Sequence, residues 1–267
     1  MASPSPKTPN RPSDGVNRRR FIWATLASLP VAALINAFWL EPTWLKTRTI
    51  RLSKDTPRHR LVHFTDLHHK GERGYLERVV RKINALSPDA VCFTGDLVEE
   101  SKHLPEALEI LRGIKSPLYG VPGNHDYWSH IDFEPVRTAF RATGGAWLMD
   151  EEATAAGGRI RILGATCERP VPFSPKPDVF NVLLMHYPLW ADKLDQRKFD
   201  LMLAGHSHGG QIRLPWLGAL IVPYQVGSYE CGLFQTPAGP LYVNPGLGWF
   251  MYRLRFNCRP EITVFEV

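Results

Sequence analysis

Cysteine is scarce in this chain. Cys92, Cys167, Cys231 and Cys258 are the only four among 267 residues, and no two form a C-x-x-C pair. That spacing leaves no thiolate cluster of the structural-zinc kind and no dithiol redox motif. They read as buried thiols, with a disulfide open to them only if the domain is exported. Residues 1–17 lack apolar periodicity and are rich in Pro, Ser, Lys and Arg, which predicts a disordered basic N-terminus. Charge is missing altogether from residues 21–40, an apolar run long enough to cross a hydrocarbon layer of about 30 Å. No small-x-small cleavage site closes that run. Residues 18–41 are therefore expected to be an uncleaved anchor rather than a removed signal peptide, a buried helix packed on the domain being the bland alternative.

Arg18, Arg19 and Arg20 stand directly before Phe21 and Ile22 and are similar to a twin-arginine export signal, with Asn17 where Ser or Thr is usual. The formal net charge is +6. Much of the excess lies in the first sixty residues, which favours an anionic membrane surface over nucleic acid, and no nucleic-acid partner is expected. Lys46, Arg48, Arg51, Lys54, Arg58 and Arg60 follow the apolar run and balance the basic residues before it, so loop charge sets no side of the membrane. The twin arginines favour the exported side. Residues 42–60 read as a basic linker with a first strand, and residues 61–267 as one catalytic domain.

Within that domain, short apolar runs end repeatedly in ligand-type side chains. One run reaches Asp66 and His68, a second Gly95 and Asp96, a third Gly123, Asn124, His125 and Asp126, a fourth His186. A fifth enters Gly205-His206-Ser207-His208-Gly209-Gly210. Such runs read as buried strands, and ligands at their carboxyl ends would gather on one rim of a sheet. Between them, residues 75–86, 104–114 and 133–142 carry apolar side chains at helical spacing. Strands alternating with helices imply a layered α/β domain, and the second half is richer in strand.

The ordered set D-x-H, G-D, G-N-H-D, a lone His and G-H-x-H resembles the calcineurin-like metallophosphoesterase superfamily. The run G-H-x-H-G-G-Q-I-R-L-P and the terminal Arg259-Pro260-Glu261-Ile262-Thr263 are similar to its membrane-associated bacterial phosphodiesterase branch, which includes UDP-2,3-diacylglucosamine pyrophosphatases. The resemblance implies a four-layer α-β-β-α sandwich of two mixed sheets after one N-terminal transmembrane or signal-anchor helix. It also implies two divalent metal ions. Asp66, His68 and His208 would complete one and Asn124, His186 and His206 the other, with Asp96 bridging. Mixed oxygen and imidazole ligands suit manganese first, with zinc or iron as alternatives. His125 is implied to face substrate as an acid or leaving-oxygen stabiliser, oriented by Asp126. Each residue alone has a blander reading: Asn124 a turn former, Asp96 a helix cap, His186 a satisfied polar group. His59, His63, His69, His103 and His130 match no ligand position.

The branch commonly has arginine where this chain has Pro245, so a phosphate clamp is lost or moved to Arg213 or Arg253. Two apolar stretches, residues 215–223 and 248–252, are either core or a membrane-facing, acyl-binding surface. The activity so implied is hydrolysis of a phosphodiester or pyrophosphate bond, with a UDP-linked acylated sugar of lipid A synthesis as candidate substrate. An exported phosphodiesterase of broad specificity is the second reading, and a non-catalytic, membrane-tethered metal-binding scaffold the third.

Overall fold

A computed structural model describes residues 17–53, 55–169, 171–195 and 197–267. The N-terminus expected to be disordered lies outside them, apart from Asn17. Asn17 caps the first helix, its side chain accepting from the Arg19 amide at 3.1 Å. Helix α1 (Arg18–Ile35) buries none of its residues. It runs on through a π-turn (Asn36–Leu40) into a 3₁₀ turn (Glu41–Thr43). This foot is held by the domain: the Arg255 amide donates to the Ala37 carbonyl at 3.0 Å, and the Cys258 amide to the Glu41 carboxylate.

The strands follow in chain order. In the first half they are β1 (Lys46–Arg51), β2 (Arg60–Phe64), β3 (Ala90–Phe93), β4 (Leu118–Gly120) and β5 (Ala146–Trp147). Next come β6 (Glu151–Ala155), β7 (Ile160–Gly164), β8 (Phe180–Leu184) and β9 (Leu201–Ala204). A small hairpin of β10 (Arg213–Leu214) and β11 (Gly218–Ala219) precedes β12 (Gly232–Thr236), β13 (Gly239–Val243) and β14 (Glu261–Glu266). They form two six-stranded mixed sheets, ordered β1-β14-β2-β3-β4-β5 and β12-β13-β9-β8-β7-β6.

Alternation within each buried strand builds the layers, because neighbouring side chains leave opposite faces. In β2, Val62 and Phe64 face a cluster with Leu76, Val79, Val80 and Ile83 of helix α2 (Arg73–Ala85) and with Leu108 and Leu111 of helix α3 (Leu104–Leu111). Leu61 faces the other way, into the space between the sheets, with Ile162, Val182 and Leu203. A five-residue helix α4 (Asn124–Trp128) and helix α5 (Phe133–Ala142) complete the first outer layer, with Val136 and Phe140 of α5 in its cluster. On the far face of the second sheet, Leu163, Leu183 and Met202 pack against Trp190 and Ala191 of a 3₁₀ segment (Pro188–Lys193). The sandwich is the one expected, with its fourth layer built of this segment and loops among the described residues.

Strand β1 lies within residues 42–60, where a first strand is expected, and pairs in parallel with β14, Lys46 opposite Glu261 through Arg51 opposite Glu266, at the edge of the first sheet. All four cysteines are free, Cys92 and Cys258 buried and Cys167 and Cys231 partly so.

Candidate metal centre

The ligand-type residues leave the carboxyl ends of β2, β3, β4, β8 and β9 and meet on one rim. Their loops interlock so closely that two motif glycines can be nothing else. A methyl group on Gly123 would strike the Asp96 carboxylate, and one on Gly205 would strike Thr65 and Asp66. Five of the side chains sit on left-handed backbone: Asp66, His68, Asp96, His206 and His208 have φ of 49°, 40°, 62°, 67° and 49°. Non-glycine residues persist there only when their surroundings over-determine them.

Asp96 lies at the middle. Its Oδ2 is 3.4 Å from His68 Nε2 and 3.3 Å from His186 Nε2, while its Oδ1 accepts from the His125 amide at 2.8 Å. On one side His68 Nε2 stands 3.0 Å from His208 Nε2, which is 3.5 Å from Asp66 Oδ1. On the other, His186 Nε2 meets Asn124 Oδ1 at 2.9 Å, with the His206 ring 4.9 Å away between centroids. Three groups offer ligand atoms within 4.8 Å of one another: Asp66–His68–Asp96–His208 and Asp96–His186–His206, joined by Asp96, and His68–Glu99–His125 beside them.

Outer partners fix the rings. His186 Nδ1 lies 2.6 Å from the Thr94 carbonyl and His206 Nε2 2.7 Å from the Tyr224 carbonyl, so these nitrogens donate and the opposite ones point inward. His208 Nδ1 is buried without a partner.

The charge balance asks for cations. Burial pushes Asp66 up to about 6, with His186 drawing it back and Asp96 adding to the rise. Burial also opposes charge on Asp96, yet His186 and His68 outweigh it and hold that carboxyl well below the usual range. In turn Asp96 overrides burial at His68 and His186 and lifts both to about 9, whereas burial depresses His206 to about 3 and holds His208 well below 6.5. Two protons on His68 and His186 thus offset two buried carboxylates, the balance that divalent cations would take over by displacing protons from ligands. With carboxylate, amide and imidazole donors and no thiolate, the residues present fit two borderline divalent ions.

His125 is beside this group, its ring 4.6 Å from that of His68 and 5.3 Å from that of Phe250. Burial lowers its pKa, partly offset by the charge of Asp96. The expected orienting role of Asp126 is not what its side chain does. Its carboxylate accepts three backbone amides, from Asp96 at 2.9 Å, Leu97 at 2.8 Å and Gly123 at 2.8 Å. Burial and the charge of Asp96 push Asp126 up to about 7 against those three donors. The carboxylate facing His125 belongs instead to Glu99, whose Oε2 is 3.4 Å from His125 Nδ1 and 2.7 Å from His68 Nδ1. Glu99 escaped the sequence reading; the one signal was its position three residues beyond Asp96.

Pro245 presents its carbonyl to Arg255 at 3.0 Å, and Arg255 is fully buried, so that arginine staples the loop and cannot touch substrate. Nearer the surface, Lys70 and Arg253 flank the Trp249 ring at 5.6 and 5.5 Å. Of the two apolar stretches, Trp249 is buried and Trp216 fully exposed.

The family model for calcineurin-like phosphoesterases matches residues 59–210. The chain is 30% identical to the uncharacterized metallophosphoesterase YkuE of Bacillus subtilis over 94% of this chain and 98% of the relative. It is 30% identical to the UDP-2,3-diacylglucosamine pyrophosphatase LpxG of Chlamydia trachomatis over 91% and 95%. To the phosphodiesterase YaeI of Escherichia coli it is 27% identical over 94% and 99%.

Proposed function

The chain belongs to the calcineurin-like phosphoesterase family, and on that premise we propose that it is a membrane-anchored phosphodiesterase or pyrophosphatase whose substrate is an acylated sugar linked to UDP. Asp66, His68 and His208 would hold one ion, Asn124, His186 and His206 the other, and Asp96 both. Two such ions, when bound, activate a water and neutralise charge on the phosphoryl group. The observation that carries this reading is the single Asp96 oxygen, which faces an imidazole of each group at 3.4 and 3.3 Å.

The chain's own residues would do the rest. His125, turned by Glu99 at Nδ1, keeps Nε2 for the departing oxygen. Such a non-ligand histidine has no evident use in a scaffold without turnover. Lys70, Arg213 and Arg253 are the cations that could meet substrate phosphate in place of an arginine at Pro245. Manganese is the metal of choice for this donor set. The LpxG relative supports the UDP-sugar substrate. A phosphodiesterase of broad specificity on the exported side is the second reading, favoured by Arg18–Arg20 in the first turn of the apolar helix and by the YaeI relative.

The purified chain, assayed with manganese against bis-p-nitrophenyl phosphate and a lipid-linked UDP sugar, tests both. Cleavage of the sugar's pyrophosphate bond supports the first reading and cleavage of the small diester alone the second. Inertness toward both with manganese, zinc and iron overturns them together.

A further inference from the structure

We infer that the rim formed by the β10–β11 hairpin with the loop after it, and by the Phe250–Tyr252 loop, docks on the lipid bilayer and brings the metal centre to headgroup depth. Six of its side chains, Trp216, Leu217, Leu220, Ile221, Met251 and Tyr252, are large, apolar or aromatic, and exposed, Trp216 and Ile221 at 102% and 79%. A contiguous set of this kind on one rim marks a docking surface rather than scattered surface hydrophobics.

The bilayer is the occupant because of what this rim is tied to. The amide of Arg255 bonds to Ala37 at the foot of the exposed apolar helix, and its neighbour Phe256 accepts from the Arg213 amide at 2.9 Å and bridges to Ile212. Gln211 in turn exchanges hydrogen bonds with the Phe250 backbone at 3.3 and 2.5 Å. Helix foot, hairpin and Phe250 loop are thus one connected patch, and a helix seated in lipid puts that foot at the headgroup boundary. The composition agrees, since Trp and Tyr beside Arg253 are the side chains that settle where hydrocarbon meets anionic headgroups, while Arg213 is paired with Glu230 at 3.2 Å.

The same patch opens on the centre. Tyr224, at the end of the exposed stretch, accepts from His206 Nε2 at 2.7 Å, and the Phe250 ring stands 5.3 Å from His125. An amphiphile could therefore present its phosphoester to the rim without its chains leaving the membrane. This delivery rests on the phosphoesterase reading; the docking does not.

The test uses the full chain in vesicles of phosphatidylcholine with about one-third phosphatidylglycerol, an anionic surface that basic residues recognise. Emission lost on Trp216→Phe isolates Trp216 from the other tryptophans. Lipid brominated high on its acyl chain should quench that difference. Leu217→Asp with Ile221→Asp should lower turnover of a vesicle-borne phosphoester about tenfold and leave bis-p-nitrophenyl phosphate within about twofold, because only interfacial burial is lost. An unquenched Trp216 overturns the docking and assigns the surface to a protein or to solvent. A quenched Trp216 with unchanged turnover of the vesicle-borne substrate overturns the delivery. Wild-type chain inert on both substrates while Trp216 is still quenched removes the phosphoesterase reading and leaves the docking standing.

Discussion

At the scale of single residues, Asp96 and His125 are joined by a hydrogen bond yet should fail in different ways. Asp96 Oδ2 is shared by two histidine groups, whereas His125 touches the centre through its amide and ring edge. Asp96→Ala is expected to abolish turnover and release both ions, which elemental analysis of the purified variant decides; near-complete occupancy of two ions would end the bridging assignment. His125→Ala should keep both ions and lose about 10²–10⁴-fold in kcat, the usual range for a positioned acid. Loss of metal there would make His125 a ligand. The ligand-type residues were legible in sequence because motif order names them. Glu99 was not, because a glutamate three residues past a ligand has no pattern of its own until folding lays it across His68 and His125. Asp126 misled for the converse reason: adjacency in sequence to His125 does not direct its carboxylate there.

At the scale of elements, the centre depends on strand ends being clamped to one another, and Asp126 is a principal clamp. Sitting in the first turn of α4, it gathers amides from the loop after β3 and from the residue before α4. Each buried amide left without an acceptor costs about 1–3 kcal/mol, and Asp126 serves three of them. Asp126→Ala should therefore lower unfolding stability by about 3 kcal/mol or more. Urea denaturation of the metal-free protein measures this, with His125→Ala, which strands no buried backbone amide, losing clearly less as the contrast. Equal stability of the two variants would return Asp126 to an orienting role. Helices α2, α3 and α5 could be read from apolar spacing to within a few residues. The five residues of α4 could not, since a single turn beginning at Asn124 looks like any polar loop, and its place is set by the Asp126 contacts.

At the scale of the whole molecule, two stacked sheets could not be read from periodicity, because strands buried on both faces look alike whichever sheet they join. Least visible was the pairing of the first strand with the last. A first strand is expected within residues 42–60, yet nothing in a stretch carrying Lys46, Arg48 and Arg51 places it at the edge of the first sheet beside the last strand, its Lys46 bridged to Glu261 at 3.1 Å. Ile50 packs on the cluster between the sheets, and the Lys46 and Leu52 amides donate to the Pro260 and Glu266 carbonyls at 2.8 and 2.9 Å. The apolar helix before it contributes nothing buried until Ala37. Two truncations should therefore behave differently. Among the described residues, removing residues 1–35 takes only Asn17 and a helix that buries nothing, and it should leave the thermal midpoint within a few degrees of wild type in detergent, on the order of 1 kcal/mol or less. Removing residues 1–49 also takes the domain-held foot, with its buried Ala37, Glu41 and Pro42, and most of β1. Losing the packing of half-buried Ile50 costs about 1 kcal/mol and each ladder bond about 1 kcal/mol, so with several such bonds at least about 3 kcal/mol is lost. For a domain of this size that lowers the midpoint by about 6–12 °C. Scanning calorimetry of the two truncated chains reads the difference directly, and equal midpoints would show that neither the foot nor β1 holds the sheet.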